Sequence, residues 1–161
     1  MNMRGADDPV AALTRITALL EQGEAAAAEP LARQLRAQRP ADAEAARLHG
    51  LALLLLGRTG AAIECLHAAA RLAPQNIAAW LNLAGAARDA GDLVLAQSAL
   101  DAALAIDGAH PAVLDQLGSL RRAQGDAAGA RAAYAQAFAG MNDPSGRAVA
   151  AVHRHGLPET G

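Results

Sequence analysis

Residues 77–110 read IAAWLNLAGAARDAGDLVLAQSALDAALAIDGAH, and the rest of the chain repeats their pattern. Two runs rich in alanine and leucine flank Gly91-Asp92, and Gly108 breaks the second run before His110-Pro111 begins another. A glycine just after a helical run suits the left-handed position past a helix end, where a Cβ would be strained. Steps of 34 residues from Gly91 land on Gly57, Gly23 and Gly125. Ala28, Ala62, Ala96 and Ala130 keep the same spacing. Thr59, Asp92 and Asp126 follow the glycines and are expected to cap the helices that open there. Pro40, Pro74, Gly108 and Asn142 recur as breakers at the far end of each unit. Asp8-Pro9 and His110-Pro111 read as an N-cap followed by proline at the first helical position. The chain therefore divides into a lead-in at 1–8 and four units at 9–42, 43–76, 77–110 and 111–144.

Composition agrees with an all-α fold. Alanine is the commonest residue, 46 of 161, and it has the strongest helix propensity; leucine and arginine follow closely. Strand-forming aromatic residues make up only 2% of the chain. The formal net charge of -2 argues against a nucleic-acid partner, which selects a basic face. All 14 basic residues are arginine. Together with alanine, glycine and proline, arginine uses GC-rich codons, so a bacterial source is expected. Met1 to Pro9 contains no apolar signal region, and Leu51 to Leu56 is far too short to span a bilayer. A cytoplasmic protein without a membrane partner is the expectation.

The 34-residue unit resembles the tetratricopeptide repeat (TPR). The second unit carries Gly50, Leu53, Gly57, Ala62, Leu66, Ala69 and Pro74 at the characteristic positions. The third carries Trp80, Leu83, Ala84, Gly91, Ala96, Leu100 and Ala103, and the fourth Leu114, Leu117, Gly118, Gly125, Ala130, Tyr134 and Ala137. The first is degenerate. It keeps Leu19, Gly23, Ala28 and Pro40, but Arg15 and Ile16 stand where a leucine and a small residue are expected, and Pro30 is predicted to interrupt its second helix. The resemblance implies a right-handed α-solenoid of four antiparallel helix-turn-helix repeats. One hairpin cannot bury its apolar face alone, so stacking completes the core. Trp80 and Tyr134 are expected in that core.

The resemblance also implies a concave groove lined by the first helix of each repeat. Position by position, it selects Arg47, Leu51, Leu54 and Leu55; then Leu81, Asn82, Arg88 and Asp89; then Asp115, Gln116 and Arg122. Asn82 stands where the family commonly uses an asparagine to hydrogen-bond a peptide backbone. The family's clamp for acidic chaperone tails is not reproduced: Arg47 fits, but Leu51, Ala112 and Gln116 do not. The leucine run suggests an apolar patch for a partner's side chain or for a second copy of the chain, although packing against the first repeat would explain it equally. The arginines are expected to meet acidic groups.

Residues 145–156, with Ala148, Val149, Ala151 and Val152 on one side, are expected to form a capping helix. The final LPETG, residues 157–161, matches a sortase recognition signal without the hydrophobic stretch and basic tail of a wall anchor. An engineered tag and natural sequence both remain open, and either would place Gly161 away from a native C-terminus. No phosphate loop, paired-cysteine motif or HExxH is present, so neither a cofactor nor a metal is expected. His49, His67 and His110 are scattered and expected at the surface or at caps, and His153 and His155 diverge along a helix. The single cysteine, Cys65, is expected to be a buried, inert thiol with no partnering histidine. A non-enzymatic protein- or peptide-binding scaffold follows. The alternative is the N-terminal recruitment or dimerisation module of a larger bacterial enzyme, such as a sulfotransferase, a glycosyltransferase or an aspartyl/asparaginyl hydroxylase.

Overall fold

A computed structural model describes residues 8–142. The expected capping helix at 145–156 and the LPETG tail lie outside the described residues. Eight helices follow one another: α1 Pro9–Glu21, α2 Ala25–Gln38, α3 Ala43–Leu55, α4 Thr59–Leu72, α5 Ile77–Asp89, α6 Leu93–Ile106, α7 Pro111–Ala123 and α8 Ala127–Asn142. No strand occurs among the described residues. The first helices of the four pairs begin 34 residues apart, and so do the second helices.

Each pair closes in the same way. Gly23, Gly57, Gly91 and Gly125 all hold φ between +74° and +84°. Each glycine N–H donates to the carbonyl three residues back, and the next N–H donates to the carbonyl five back, as in Gly57 to Leu54 and Arg58 to Leu53. These two bonds satisfy carbonyls that the end of a helix leaves unpaired. The caps are less uniform. Asp8, Asp42, Asn76, Asp92 and Asp126 accept backbone N–H bonds at helix starts. Thr59 does not cap α4: it already lies in the helix, and Arg58 occupies the cap position with no side-chain bond. His110 holds the cap position of α7, again without a side-chain cap bond. Pro30 does not interrupt α2, which runs unbroken through it. Proline there forfeits the bond to the carbonyl of Ala26, and both residues are exposed, so water can replace that bond.

The helices pack within each pair and between adjacent pairs, and first helices also touch one another: α1 with α3, α3 with α5, α5 with α7. The second helices do not pack on one another to a comparable extent. The stack is therefore shorter along its first-helix side and curves toward it. The apolar core divides into two main clusters. One joins α1, α2 and α3 around Ile16, Leu35 and Leu48, and the other joins α4 to α7 around Leu66, Leu83, Leu100 and Leu120. Trp80 packs at the edge of the larger cluster and donates its Nε1–H to the Pro74 carbonyl at 2.9 Å.

Inside each pair the two helices meet at one crossing, where residue sizes compensate. A methyl added at Gly50 would lie 2.7 Å from Leu66 Cγ, and one at Gly118 would lie 2.6 Å from Tyr134 Cε1. The equivalent positions hold Ala84 with Leu100 and, in the first pair, Ile16 with Ala32. The order of large and small is inverted in that first pair, which explains how Ile16 fits where a small residue is usual. Overpacking a core costs about 1–3 kcal/mol, while glycine to alanine in a helix returns up to about 1 kcal/mol. Gly118→Ala should therefore lower the melting temperature. Adding Tyr134→Leu, which copies the Ala84–Leu100 crossing, should recover part of the loss. Thermal melts of both single variants and the double variant decide this, and simply additive losses would refute size compensation.

Candidate functional site

The curve of the stack makes α1, α3, α5 and α7 the walls of the inner face. Leu51, Leu54 and Leu81 are half-buried there. Leu51 packs against the cluster of the first pair, while Leu54 and Leu81 pack against the larger cluster. Leu55 differs, with 59% of its surface exposed. The leucine run is thus mostly core packing, with Leu55 protruding and Leu56, 37% exposed, at its end. The first helix adds Val10, 68% exposed, which a groove read from the three later units alone misses. Applying the same groove positions to the degenerate first unit would have found it.

The arginines are largely engaged already. Arg47 grips Glu44 through both Nε and Nη2, at 2.8 and 2.5 Å. These hydrogen bonds, opposed by burial and aided by the Glu44 charge, raise the Arg47 pKa further. Arg88 donates to Asp89 at 3.0 and 3.2 Å and reaches across to Gln116 Oε1 at 2.8 Å, tying α5 to α7. Arg122 and Asp115 are exposed. Of the three arginines expected to meet acidic groups, Arg122 alone has no partner among the described residues.

Asn82 is half-buried, and its Nδ2 is buried without a hydrogen-bond partner. The 34-residue register gives the reason. By register Leu54 stands to Asn82 as Arg88 stands to Gln116, and a leucine has no acceptor to offer the amide. Asn82 separates the leucine run of α3 from the Arg88–Gln116 contact between α5 and α7.

A second group of residues converges away from this face, and it overturns two expectations. His49 is neither at the surface nor at a cap: it is 8% exposed, with Nε2 3.2 Å from Glu29 Oε1. Cys65 does have a partnering histidine, since its Sγ lies 3.6 Å from His49 Nδ1, and Arg36 Nη1 donates to the same sulfur at 2.8 Å. Glu29 and Arg36 come from α2, His49 from α3 and Cys65 from α4. The side chains lie far apart in sequence, so no motif spacing announces them. A nucleophile, a base and an orienting carboxylate in contact are the parts of a covalent catalyst. Here Cys65 is 3% and Glu29 7% exposed. Burial, the dominant influence, raises the Cys65 pKa despite the nearby Arg36 charge, which favours the thiol over the thiolate. No group of three or more potential metal ligands occurs among the described residues, and none of their helices is long and apolar enough to cross a membrane.

Comparison with known proteins places this geometry in a family. The tetratricopeptide repeat family model matches residues 13–77 and 56–111. No curated protein sequence matches the chain. Among solved structures, the TPR protein TTC0263 of Thermus thermophilus is 23% identical, with a TM-score of 0.76, over 90% of this chain and 80% of that one. MamA of Desulfovibrio magneticus RS-1 is 21% identical, with a TM-score of 0.72, over 83% and 75%. A chain of the APC/C Cut9–Hcn1 hetero-tetramer is 21% identical, with a TM-score of 0.76, over 84% of this chain and 26% of that one. At these identities the likeness shows the fold alone.

Leaving a buried polar group unsatisfied costs about 1–3 kcal/mol. Asn82→Leu removes the orphaned donor and gives Leu54 an apolar neighbour, so it should raise the melting temperature. An unchanged or lower value would show that the amide is satisfied by water.

Proposed function

This chain belongs to the tetratricopeptide repeat family, and on that premise we propose that it is a non-enzymatic scaffold that binds a protein or peptide on its inner face. In this reading the repeats run 9–42, 43–76, 77–110 and 111–144. The observation that carries the proposal is the state of the inner face itself. Its first half offers Val10 and Leu55 to solvent, and Asn82 keeps a donor that no described residue uses. Protruding apolar side chains on α1 and α3 and an amide with an unpaired donor on α5 suit an extended peptide, which brings apolar side chains and backbone carbonyls together.

The paired arginines refine the class of partner. Arg47 and Arg88 would have to break existing contacts to meet a new carboxylate, at the cost of leaving Glu44, Asp89 and Gln116 to find other partners. The proposed ligand is therefore a segment anchored by an apolar residue, with a lesser contribution from acidic ones at Arg122. Self-association through Leu55 is the competing use of the same surface.

Peptides selected from a displayed random library against the wild-type protein test this. They should be enriched in large apolar residues. Leu55→Glu and Asn82→Leu should each weaken their binding by about tenfold, equivalent to roughly 1.4 kcal/mol. Val94→Glu, on an exposed residue of the second-helix side, should leave it unchanged. Equal sensitivity to Val94→Glu, or indifference to Leu55→Glu, would contradict the assignment. Sedimentation of wild type and Leu55→Glu separates self-association from peptide binding.

A further inference from the structure

The apolar cluster around Ile16, Leu35 and Leu48 closes the joint between the first and second repeats, and it does not merge with the larger cluster. Beside this apolar contact a line of titratable side chains crosses from α2 through α3 to α4: Arg33, Glu29, His49, Cys65 and Arg36. The next joint shows the alternative. At the positions corresponding to Glu29 and His49, one repeat later, stand Ile63 and Leu83, both within the larger apolar cluster.

The hydrogens along this line can be placed in one consistent way. An ionised Glu29 only accepts, so His49 Nε2 must carry a proton and donate to it. In a neutral imidazole Nδ1 then accepts, and the Cys65 thiol donates to it. Arg36 donates to the sulfur from the other side, and Arg33 approaches Glu29 at 3.8 Å. Adding a proton to His49 breaks this order. Nδ1 becomes a second donor aimed at a sulfur that already receives Arg36, and the thiol hydrogen loses its acceptor. The new charge would also sit near Arg36 and Arg33, as well as Glu29, on a residue that is only 8% exposed.

We propose that His49 makes the joint between the first and second repeats acid-labile, so that protonation releases the α1–α2 hairpin from the rest of the array. In a stack where each repeat contacts only its neighbours, a hairpin with one packed neighbour, as α1–α2 has among the described residues, can open while the others stay folded. Release would remove Val10 from the inner face and uncover the flank of α3.

The direction of titration supports this. Burial, outweighing the hydrogen bond and charge of Glu29 and aided by the charges of Arg36 and Arg33, lowers the His49 pKa below its ordinary 6.5. From α4 the facing titratable group is Cys65, itself influenced by Arg36, Glu64 and Glu29. No charged group of α1 or α5 is among those that act on His49. A group whose folded pKa is depressed contributes stability that is complete above its unfolded value and declines as pH falls below it. The joint is therefore firm above 6.5 and weakens with acidification.

Amide hydrogen exchange, corrected for intrinsic rates and compared at about pH 7.5 and about pH 5, reads this directly. Protection of α1 and α2 should fall several-fold more than that of α5 to α7. In His49→Gln, whose carboxamide can still donate to Glu29 and accept from Cys65 but does not titrate in this range, the selective loss should vanish. The double change Glu29→Ile with His49→Leu copies the Ile63–Leu83 contact and should also abolish it. A uniform loss along the array, or an unaltered selective loss in either variant that retains wild-type helicity at neutral pH, would overturn the proposal.

Discussion

Every helical hairpin among the described residues turns on a glycine with positive φ, and that turn sets the spacing of all that follows. With Gly23, Gly57, Gly91 and Gly125 in the left-handed region, the last carbonyls of α1, α3, α5 and α7 are satisfied by the next two N–H groups. A residue with a Cβ would be strained at each of these places. Because the turn is the same four times, the second helix always leaves in the same direction and in the same register. Small residues then fall opposite large ones at each crossing, first helices come within reach of one another, and an inner face forms. None of the later features needs a separate explanation once the turn is fixed.

The register also accounts for where the repeats differ. The crossing can be filled from either helix, with glycine against tyrosine or isoleucine against alanine, provided the pair conserves volume. The contact between successive first helices tolerates polar and apolar pairs: Leu20 stands toward Leu48 and Arg88 toward Gln116. A mixed pair leaves an orphan, and Leu54 toward Asn82 is the mixed pair. Departures of this kind are where function is to be sought, because a matched alternative was available in the same fold.

The fold was legible in the sequence because its signals are local and periodic. Glycine past a helix end, proline or aspartate at a helix start, and small residues in fixed register act within a few residues, and repetition raises each above chance. Local chemistry also misleads in places. Pro30 has the chemistry of a breaker, but the bond it forfeits lies on the exposed side of α2. Thr59 has the chemistry of a cap, but the helix starts one residue sooner, at a turn whose bonds Gly57 and Arg58 already complete. The inner face was legible by position and much less so by state. The Arg47–Glu44 pair is three apart on a helix and could have been read. That Arg88 is taken up by Gln116 depends on how α5 and α7 meet, and no spacing along the chain encodes it.

The meeting of Glu29, His49, Cys65 and Arg36 belongs to this last kind. Each residue is ordinary in its own helix, and only stacking brings the four together. What they replace is informative. A repeat array holds together by summing similar apolar joints, and its ends open first because they have one neighbour instead of two. Here the joint of the first described hairpin adds ionisable groups to its apolar contact, while the next carries Ile63 and Leu83. A polar joint in the middle would divide the array, and a polar joint at the edge divides off only one hairpin. The placement sets any effect of protonation at the contacts of α2, α3 and α4, and leaves α5 to α7 supported by an apolar core that does not titrate.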